Sequence, residues 1–292
     1  MKTFKVLVLG AGRIASGYDS FESTDVLTHC TTAFFDLDDC RKQEPDIVVI
    51  CTPDHTHASF LESILDWRPL LVVCEKPLTV TLNESERLIG KYEVAQVPLA
   101  VVYQRRYDHD INRMREMIHS GALGAFLVGT LLYSKGLLHN GSHGLDLLIY
   151  LFGNILHAEY HSHRVDYSQS DPTVSGRLRF DYGDVYLLAA DERCHSLFEL
   201  DLVFEKGRFR LLDSGLTIEV QHVIADPVFP GYKALLPADK RPSTLNRALY
   251  SMWDRIAACL DTNTPLPTNA REALLSQKVC TELLQQAMGD RS

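Results

Sequence analysis

Three groups of residues in this chain have types and spacings that could do chemistry. Gly10-Ala11-Gly12-Arg13-Ile14-Ala15 follows the apolar run Phe4–Leu9. Glycine at the first position permits a tight turn, and at the second it lets backbone approach a pyrophosphate. The small Ala15 lets a helix pack closely on the strand. Free N–H groups at the start of that helix face the anion. On this reading Gly10, Gly12, Arg13 and Ile14 cradle the phosphates of a dinucleotide. The same pattern also suits a tight strand-to-helix turn that holds no ligand. The second group is Glu75-Lys76-Pro77, after the run "LLVVC". A lysine at the end of a buried strand is costly unless it has partners. Either a carboxylate such as Glu75 holds it, or it faces a ligand oxygen whose developing charge it favours. The third group is His139, His143 and Asp146 in "HNGSHGLDLL". His143 and Asp146 are three apart and share a helical face, and an imidazole suits removal of a hydroxyl proton near neutral pH. Nitrogen and oxygen donors at helical spacing also bind zinc. No third His or Cys is tied to this set by spacing, so no metal is expected.

These groups need elements to carry them. "FKVLVLG", "DIVVICT", "LLVVCEK" and "PLAVVYQ" are continuous Val/Ile/Leu runs, as in parallel strands buried on both faces. Between them, "THASFLESILDW" puts Phe60, Leu61, Ile64 and Leu65 on one helical face, and Thr81 with Glu84 has capping-box spacing. Strand and helix in alternation predict a doubly wound α/β domain. Thr52-Pro53 then falls at the carboxyl edge of the sheet, where ligands bind in such folds. After "SGALG" (Ser120 to Gly124) the pattern becomes period two. Leu178, Phe180 and Tyr182 alternate with charged residues, and Phe198, Leu200, Leu202 and Phe204 share a face before a turn at Lys206-Gly207. This predicts an open, mostly antiparallel sheet with one face covered. Ser142 is the expected N-cap of the helix that carries His143. Two further helices are expected, one through Leu245–Leu260 and one over Asn269–Met288. The domains are therefore expected to be 1–122 and 123–292.

The chain has 292 residues and a formal net charge of −9, with no Lys/Arg run. Phosphate backbones and anionic membranes recruit clustered positive charge, so neither is expected as a partner. No window reaches the ~18 apolar residues that a membrane span requires. The opening "MKTFKVLVLG" lacks the form of a signal peptide. Seven scattered cysteines fit reduced thiols in a cytoplasmic protein better than a disulfide framework. Neither a GxSxG elbow nor a GxxxxGK[ST] loop is present, which argues against a hydrolase of that type and against an NTPase.

Together, "GAGRIA" (Gly10–Ala15), "CTPDHTH" (Cys51–His57), "CEKPL" (Cys74–Leu78), "YQRRYD" (Tyr103–Asp108), "GALG" (Gly121–Gly124) and "HNGSHGLDLLIYLFG" (His139–Gly153) resemble the Gfo/Idh/MocA family of oxidoreductases. The resemblance implies an N-terminal Rossmann-like domain and a C-terminal domain for substrate and oligomer contacts. It implies an NAD- or NADP-dependent enzyme acting on a sugar, a sugar derivative or a cyclic polyol, and a homo-oligomer. It makes Lys76 and His143 catalytic. It sets Thr52, Pro53, His57, Glu75 and Lys76 near the cofactor, and Arg106, His139, His143 and Asp146 near the substrate. For Arg106 a surface ion pair is an equal alternative, and for His57 a hydrogen bond at the helix start with no ligand.

One segment departs from the family. Between Ala15 and Asp46 there is room for one strand, "TTAFF", and short helices, whereas a strand–helix–strand unit takes about thirty residues. The N-terminal sheet is thus expected to lack one strand–helix unit. Asp36 is then either the acid that binds the adenosine ribose or the start of the helix "DLDDCRKQ". If the ribose-binding unit is missing, the alternative is a catalytically impaired relative that acts as a sugar-binding or interaction protein.

Overall fold

The computed structural model describes residues 4–10, 27–32, 36–262, 264, 266 and 268–289, with backbone alone for 27–32. The chain forms two compact units. Met1–Tyr107 with Arg247–Leu274 makes the first, and Asp108–Asn246 with Leu275–Ser292 the second.

In the first unit the order is β1 (Phe4–Leu9), β2 (Leu27–Thr32), α1 (Leu37–Arg41), β3 (Ile47–Ile50), α2 (His57–Leu65), β4 (Leu71–Glu75), α3 (Leu82–Ala95) and β5 (Leu99–Val102). All neighbouring strands pair in parallel, in the order β2-β1-β3-β4-β5. The side chains of β3 and β5 are buried throughout, as are all of β1 but Lys5 and all of β4 but Glu75. The uninterrupted Val/Ile/Leu runs are thus a sheet covered on both faces. A six-stranded dinucleotide fold carries two strands beyond β1. Among the described residues there is one, which matches the shortened segment. The described strand is Leu27–Thr32, which takes in Thr31 and Thr32 of "TTAFF" and pairs with the whole of β1 from Phe4↔Leu27 to Leu9↔Thr32. Main-chain pairing set this register despite a mixed polar sequence. Residues 33–35 lie outside the described set.

Leu61 and Ile64 of α2 are fully buried, with Phe60 and Leu65 packed at the margin of the same core. Thr81 caps α3: its hydroxyl accepts from Glu84 N at 3.3 Å and donates to the Glu84 carboxylate at 3.0 Å.

The second unit contains α4 (His109–His119), β6 (Phe126–Tyr133), a π-helical turn (Gly136–Gly141), α5 (Ser142–Phe152), β7 (His157–Arg164), β8 (Thr173–Phe180), β9 (Gly183–Ala189), β10 (Phe198–Phe204), β11 (Gly207–Leu212), β12 (Thr217–Ala225), β13 (Lys233–Leu235) and β14 (Asp239–Pro242). The strand order is β13-β12-β11-β10-β6-β9-β8-β7, with β14 also on β12. Only β6 and β9 run parallel. Along β10 burial alternates strictly, with Phe198, Leu200, Leu202 and Phe204 inward. They pack in one core with Leu145, Leu148 and Phe152 of α5. Tyr182, expected on the inward face of β8, lies in the turn after the strand and is 58% exposed.

Helices α6 (Ala248–Thr262) and α7 (Ala270–Gly289) complete the chain. They correct the expected division at 122/123, because the boundary falls between Tyr107 and Asp108. Ile111 and Met114 of α4 belong to the second core. Residues 247–274 return to the first unit. There Val101 N donates to Thr268 O at 3.0 Å, and Ala270, Ala273 and Leu274 enter the core under the parallel sheet. Among the described residues no helix is long and apolar enough to cross a membrane.

Candidate active site

In the first unit the candidate residues gather at the carboxyl edge of the parallel sheet. Leu9 is in register with Ile50, and Ile50 with Cys74. Gly10, Cys51 and Glu75 therefore follow one another along the edge, about 4.8 Å apart per strand. Chain order reverses between β1 and β3, which is the switch point where open parallel sheets bind ligands. Gly10 has φ +148°, a backbone conformation that favours glycine. Gly10 thus has the backbone conformation that the first glycine of the motif supplies. Gly12, Arg13 and Ile14 lie outside the described residues.

Thr52 and Pro53 leave β3 on this edge, half-exposed and exposed. A short 3₁₀ turn, Asp54–Thr56, leads into α2. Thr56 Oγ1 donates to Pro53 O at 2.6 Å and lies 2.7 Å from Thr52 Oγ1. His57 opens α2 as expected, but its ring is 1% exposed. Nδ1 lies 2.8 Å from Pro77 O and Nε2 lies 2.8 Å from Thr52 O. Both ring nitrogens therefore face backbone carbonyls. His57 bridges the turn after β3 to the turn after β4, with neither nitrogen turned to a ligand.

The turn after β4 carries Glu75 and Lys76, both half-buried, and the Lys76–Pro77 peptide bond is cis. Lys76 N donates to the Glu75 carboxylate at 3.3 Å. Thr79 Oγ1 donates to Thr81 O at 2.7 Å and shares a hydrogen bond with Ser85, which fixes the far end of the turn to α3. Beneath it, burial pushes the Cys74 thiol well above its ordinary pKa, with nearby Glu75, Cys51 and Asp54 adding to the rise.

Two expectations in this unit meet different surroundings. Asp36 is the N-cap of α1, and its carboxylate accepts from Asp38 N at 2.8 Å. Of its two readings, the structure displays the helix start. Arg106 lies in the turn Gln104–Tyr107, where its side chain is 2% exposed and pairs with Glu272 at 2.6 Å. That ion pair is buried on the arginine side, so it is not the surface pair considered from sequence.

In the second unit His143 stands in the first turn of α5, half-buried, and Asp146 is 1% exposed on the same face. Gly141 and Gly144 let this helix lie directly on β6. A Cβ on Gly144 would stand 2.2 Å from the Leu131 side chain, and one on Gly141 2.6 Å from the Tyr133 ring. Ser142 is not the N-cap. The π-helical turn runs straight into α5, and the Ser142 hydroxyl donates back to Leu138 O at 2.6 Å. His139, exposed, stacks on Tyr167 with ring centroids 4.6 Å apart.

Sequence reasoning missed the groups that hold this helix start. Asp171 accepts from Leu138 N at 2.7 Å and from His139 N at 2.9 Å. Asp166 accepts from Lys135 N at 2.9 Å. Their only sequence signal is the turn-rich string "DYSQSDPT" ahead of a strand. Among the described residues no group of three His, Cys, Asp or Glu could hold a metal ion.

Comparison with known proteins adds the following. Residues 20–103 match the family model GFO_IDH_MocA, described as an oxidoreductase family with an NAD-binding Rossmann fold. Inositol 2-dehydrogenase 2 of Mycolicibacterium vanbaalenii is 31% identical over 140 residues, 42% of this chain and 40% of that protein. The matched stretch thus spans about two fifths of the length of this curated relative. Among solved structures, an oxidoreductase from Sinorhizobium meliloti superposes with a TM-score of 0.81 at 14% identity, covering 99% of each chain. An inositol dehydrogenase homologue from Azotobacter vinelandii, complexed with NADH and myo-inositol, superposes with a TM-score of 0.78 at 16% identity, covering 99% of this chain and 96% of that one. At these identities the structural likeness speaks for the fold.

Proposed function

We propose that the chain belongs to the Gfo/Idh/MocA oxidoreductase family, whose model matches residues 20–103, and that it transfers hydride between NAD or NADP and a secondary hydroxyl of a sugar, sugar derivative or cyclic polyol. The observation that carries the reading is the carboxyl edge of the first unit. Gly10, Thr52-Pro53 and Glu75-Lys76 leave three adjacent strands there, and His57 ties two of the three turns together.

The residues present fit a dinucleotide. Gly10 has the positive φ of the cradle, and Gly12, Arg13 and Ile14 continue it in sequence. Thr52, Pro53 and Glu75 offer backbone and side-chain groups beside the switch point. Hydride acceptance and return is the chemistry that the cofactor supplies when bound. The chain's own residues do the rest. The Lys76 ammonium donates to the substrate hydroxyl oxygen and favours its alkoxide character as the C–H bond gives up hydride. The imidazole of His143 takes the hydroxyl proton. Asp146, on the same helical face as His143, and His139 are assigned to the substrate by the family resemblance. Arg106 and Asp36 have the structural bonds described above and carry less of this reading.

The reading includes a cytoplasmic location and a homo-oligomer. Cys40, Cys51, Cys74, Cys194, Cys259 and Cys280 are all free, which suits a reducing compartment. Leu127, Tyr186 and Leu188 are exposed on the sheet of the second unit, a surface suited to association.

The test is a titration with NADH and NADPH followed by nicotinamide fluorescence, then oxidation assays over a panel of cyclic polyols and sugars. Micromolar binding and turnover of at least one polyol are expected. A folded protein that binds neither nucleotide at millimolar concentration overturns the proposal. That result favours the catalytically impaired, sugar-binding alternative, for which the presence of one strand beyond β1 among the described residues and the capping role of Asp36 speak.

A further inference from the structure

The start of the helix that carries His143 is held in an unusual way. The first N–H groups of a helix have no partner within it. Here five consecutive backbone N–H groups, from Lys135 to His139, are all taken by one loop. Lys135 N donates to Asp166 Oδ2 at 2.9 Å and Gly136 N to Thr173 Oγ1 at 2.8 Å. Leu137 N donates to Pro172 O at 3.1 Å. Leu138 N and His139 N donate to the two oxygens of Asp171, at 2.7 and 2.9 Å. The loop is braced in turn. Thr173 Oγ1 donates to Asp166 Oδ1 at 2.6 Å, and Glu192 N donates to Asp166 Oδ2 at 3.0 Å. Asp166 and Asp171 are 9% and 7% exposed. The fit leaves no slack: a Cβ on Gly136, whose φ is +78°, would stand 2.3 Å from Asp171 Oδ2.

We propose that Asp171 is a positioning residue for the reaction proposed above, and that through the main chain it sets where His139 and His143 stand. One Asp171 oxygen holds His139 by its own N–H. The other holds Leu138, whose carbonyl accepts from the Ser142 hydroxyl at 2.6 Å, and Ser142 is the residue before His143. A π-helical turn is an irregular stretch with a weaker intrinsic preference than α-helix, and such turns recur at functional sites. Without its clamp the turn has an α-helical alternative, which would rotate His139 relative to His143. The inference rests on the oxidoreductase reading for its kinetic consequence and on the hydrogen bonds alone for its structural one.

The experiment compares Asp171→Asn and Asp171→Ala with the full-length wild type. Asn keeps one carbonyl acceptor and serves if the Ala variant fails to fold. Amide hydrogen exchange at Leu138 and His139 is expected to quicken at least ~10-fold in both variants, since each loses a buried bond to a charged acceptor. Polyol turnover is expected to fall ~10-fold in Asp171→Asn and ~100-fold in Asp171→Ala, the scale of a small misplacement of catalytic groups. KM for the dinucleotide, whose proposed cradle lies in the other unit, is expected to stay as in wild type. Faster exchange with unchanged kcat, or unchanged exchange in both variants, overturns the proposal. A wild type inactive on every polyol overturns the oxidoreductase reading but not the clamp. The clamp is then judged from the imidazole C–H resonances of His139 and His143. They shift in Asp171→Asn if the loop sets the ring positions, and stay in place if it does not.

Discussion

Replacing His57 by Ala removes a bridge between the turns that follow β3 and β4, and its cost follows from the geometry. The ring is 1% exposed and each nitrogen lies 2.8 Å from a carbonyl oxygen, Pro77 O on one side and Thr52 O on the other. A buried acceptor left without a donor costs about 1–3 kcal/mol. Thr52 and Pro77 are both half-exposed, so water regains part of each carbonyl and the lower half of that range applies. A neutral imidazole carries one N–H and so donates to one of the two carbonyls, which gives a loss of about 1–2 kcal/mol, a sizeable part of the ~5–15 kcal/mol that keeps a domain folded. The tryptophans, Trp67 and Trp253, both belong to the first unit, so urea unfolding followed by their fluorescence reports on it. A midpoint lowered by about 0.5–1 M urea is expected. The amide nitrogen of Asn can replace Nδ1 and that of Gln can replace Nε2, so whichever of His57→Asn and His57→Gln matches the protonated nitrogen should recover most of the loss. If His57→Ala costs less than ~0.5 kcal/mol, the range of an ordinary surface change, or if Asn and Gln do no better than Ala, the two carbonyls are not what the ring holds.

Other perturbations give equally definite expectations. Lys76→Ala and His143→Ala should each lower polyol turnover by ~10²–10⁴ with thermal midpoints near wild type; unchanged turnover in both would remove these residues from the mechanism. Gly144→Ala should cost about 1–3 kcal/mol, the usual penalty of overpacking, because its Cβ would enter the Leu131 side chain; a neutral result in urea unfolding would show that α5 can lift from β6. For Asp166, burial alone would push the carboxyl up, but the Thr173 hydroxyl and the N–H groups of Lys135 and Glu192 outweigh it and hold the pKa below the usual value. A lowered folded pKa contributes stability that is fully present above the unfolded value, ~3.9, and is lost as pH falls through the folded one. The gap in thermal midpoint between wild type and Asp166→Asn should therefore be constant from neutrality to ~pH 5 and shrink below ~pH 4; a gap that persists at pH 3 contradicts the linkage.

How much of this was legible in the sequence depended on the range over which each signal acts. The Val/Ile/Leu runs of β1, β3, β4 and β5 are local and name their own burial, and the alternation in β10 names its inward face. Thr81 and Glu84, three residues apart, foretold their cap. Legibility failed where distant segments decide. The strand beyond β1 was expected from Thr31 onward, but it already begins at Leu27, in a polar stretch where the pairing partner Phe4–Leu9 sets the register. The boundary was placed at a change of pattern, but residues 247–274 return to the first unit, a contact that no local periodicity encodes. Ser142 has the right type for an N-cap. Asp171, some thirty residues downstream, takes the N–H groups first. The motif around Lys76 was readable as chemistry, whereas the role of His57 was not, since only the fold shows two carbonyls converging on its ring.

The first unit is discontinuous, and this has a consequence for biosynthesis. Arg106 and Tyr107 are made long before Glu272 and Thr268, their partners at 2.6 and 2.8 Å. The separation of 166 residues between Arg106 and Glu272 corresponds to roughly 8–33 s of ribosomal elongation at ~5–20 residues per second. For that interval the emerging parallel sheet has its strands but not the segment that closes beside β5. The nascent chain must keep the Arg106 guanidinium solvated until Glu272 has been made, so the unit whose strands emerge first is closed only after the strands of the second unit have been synthesised.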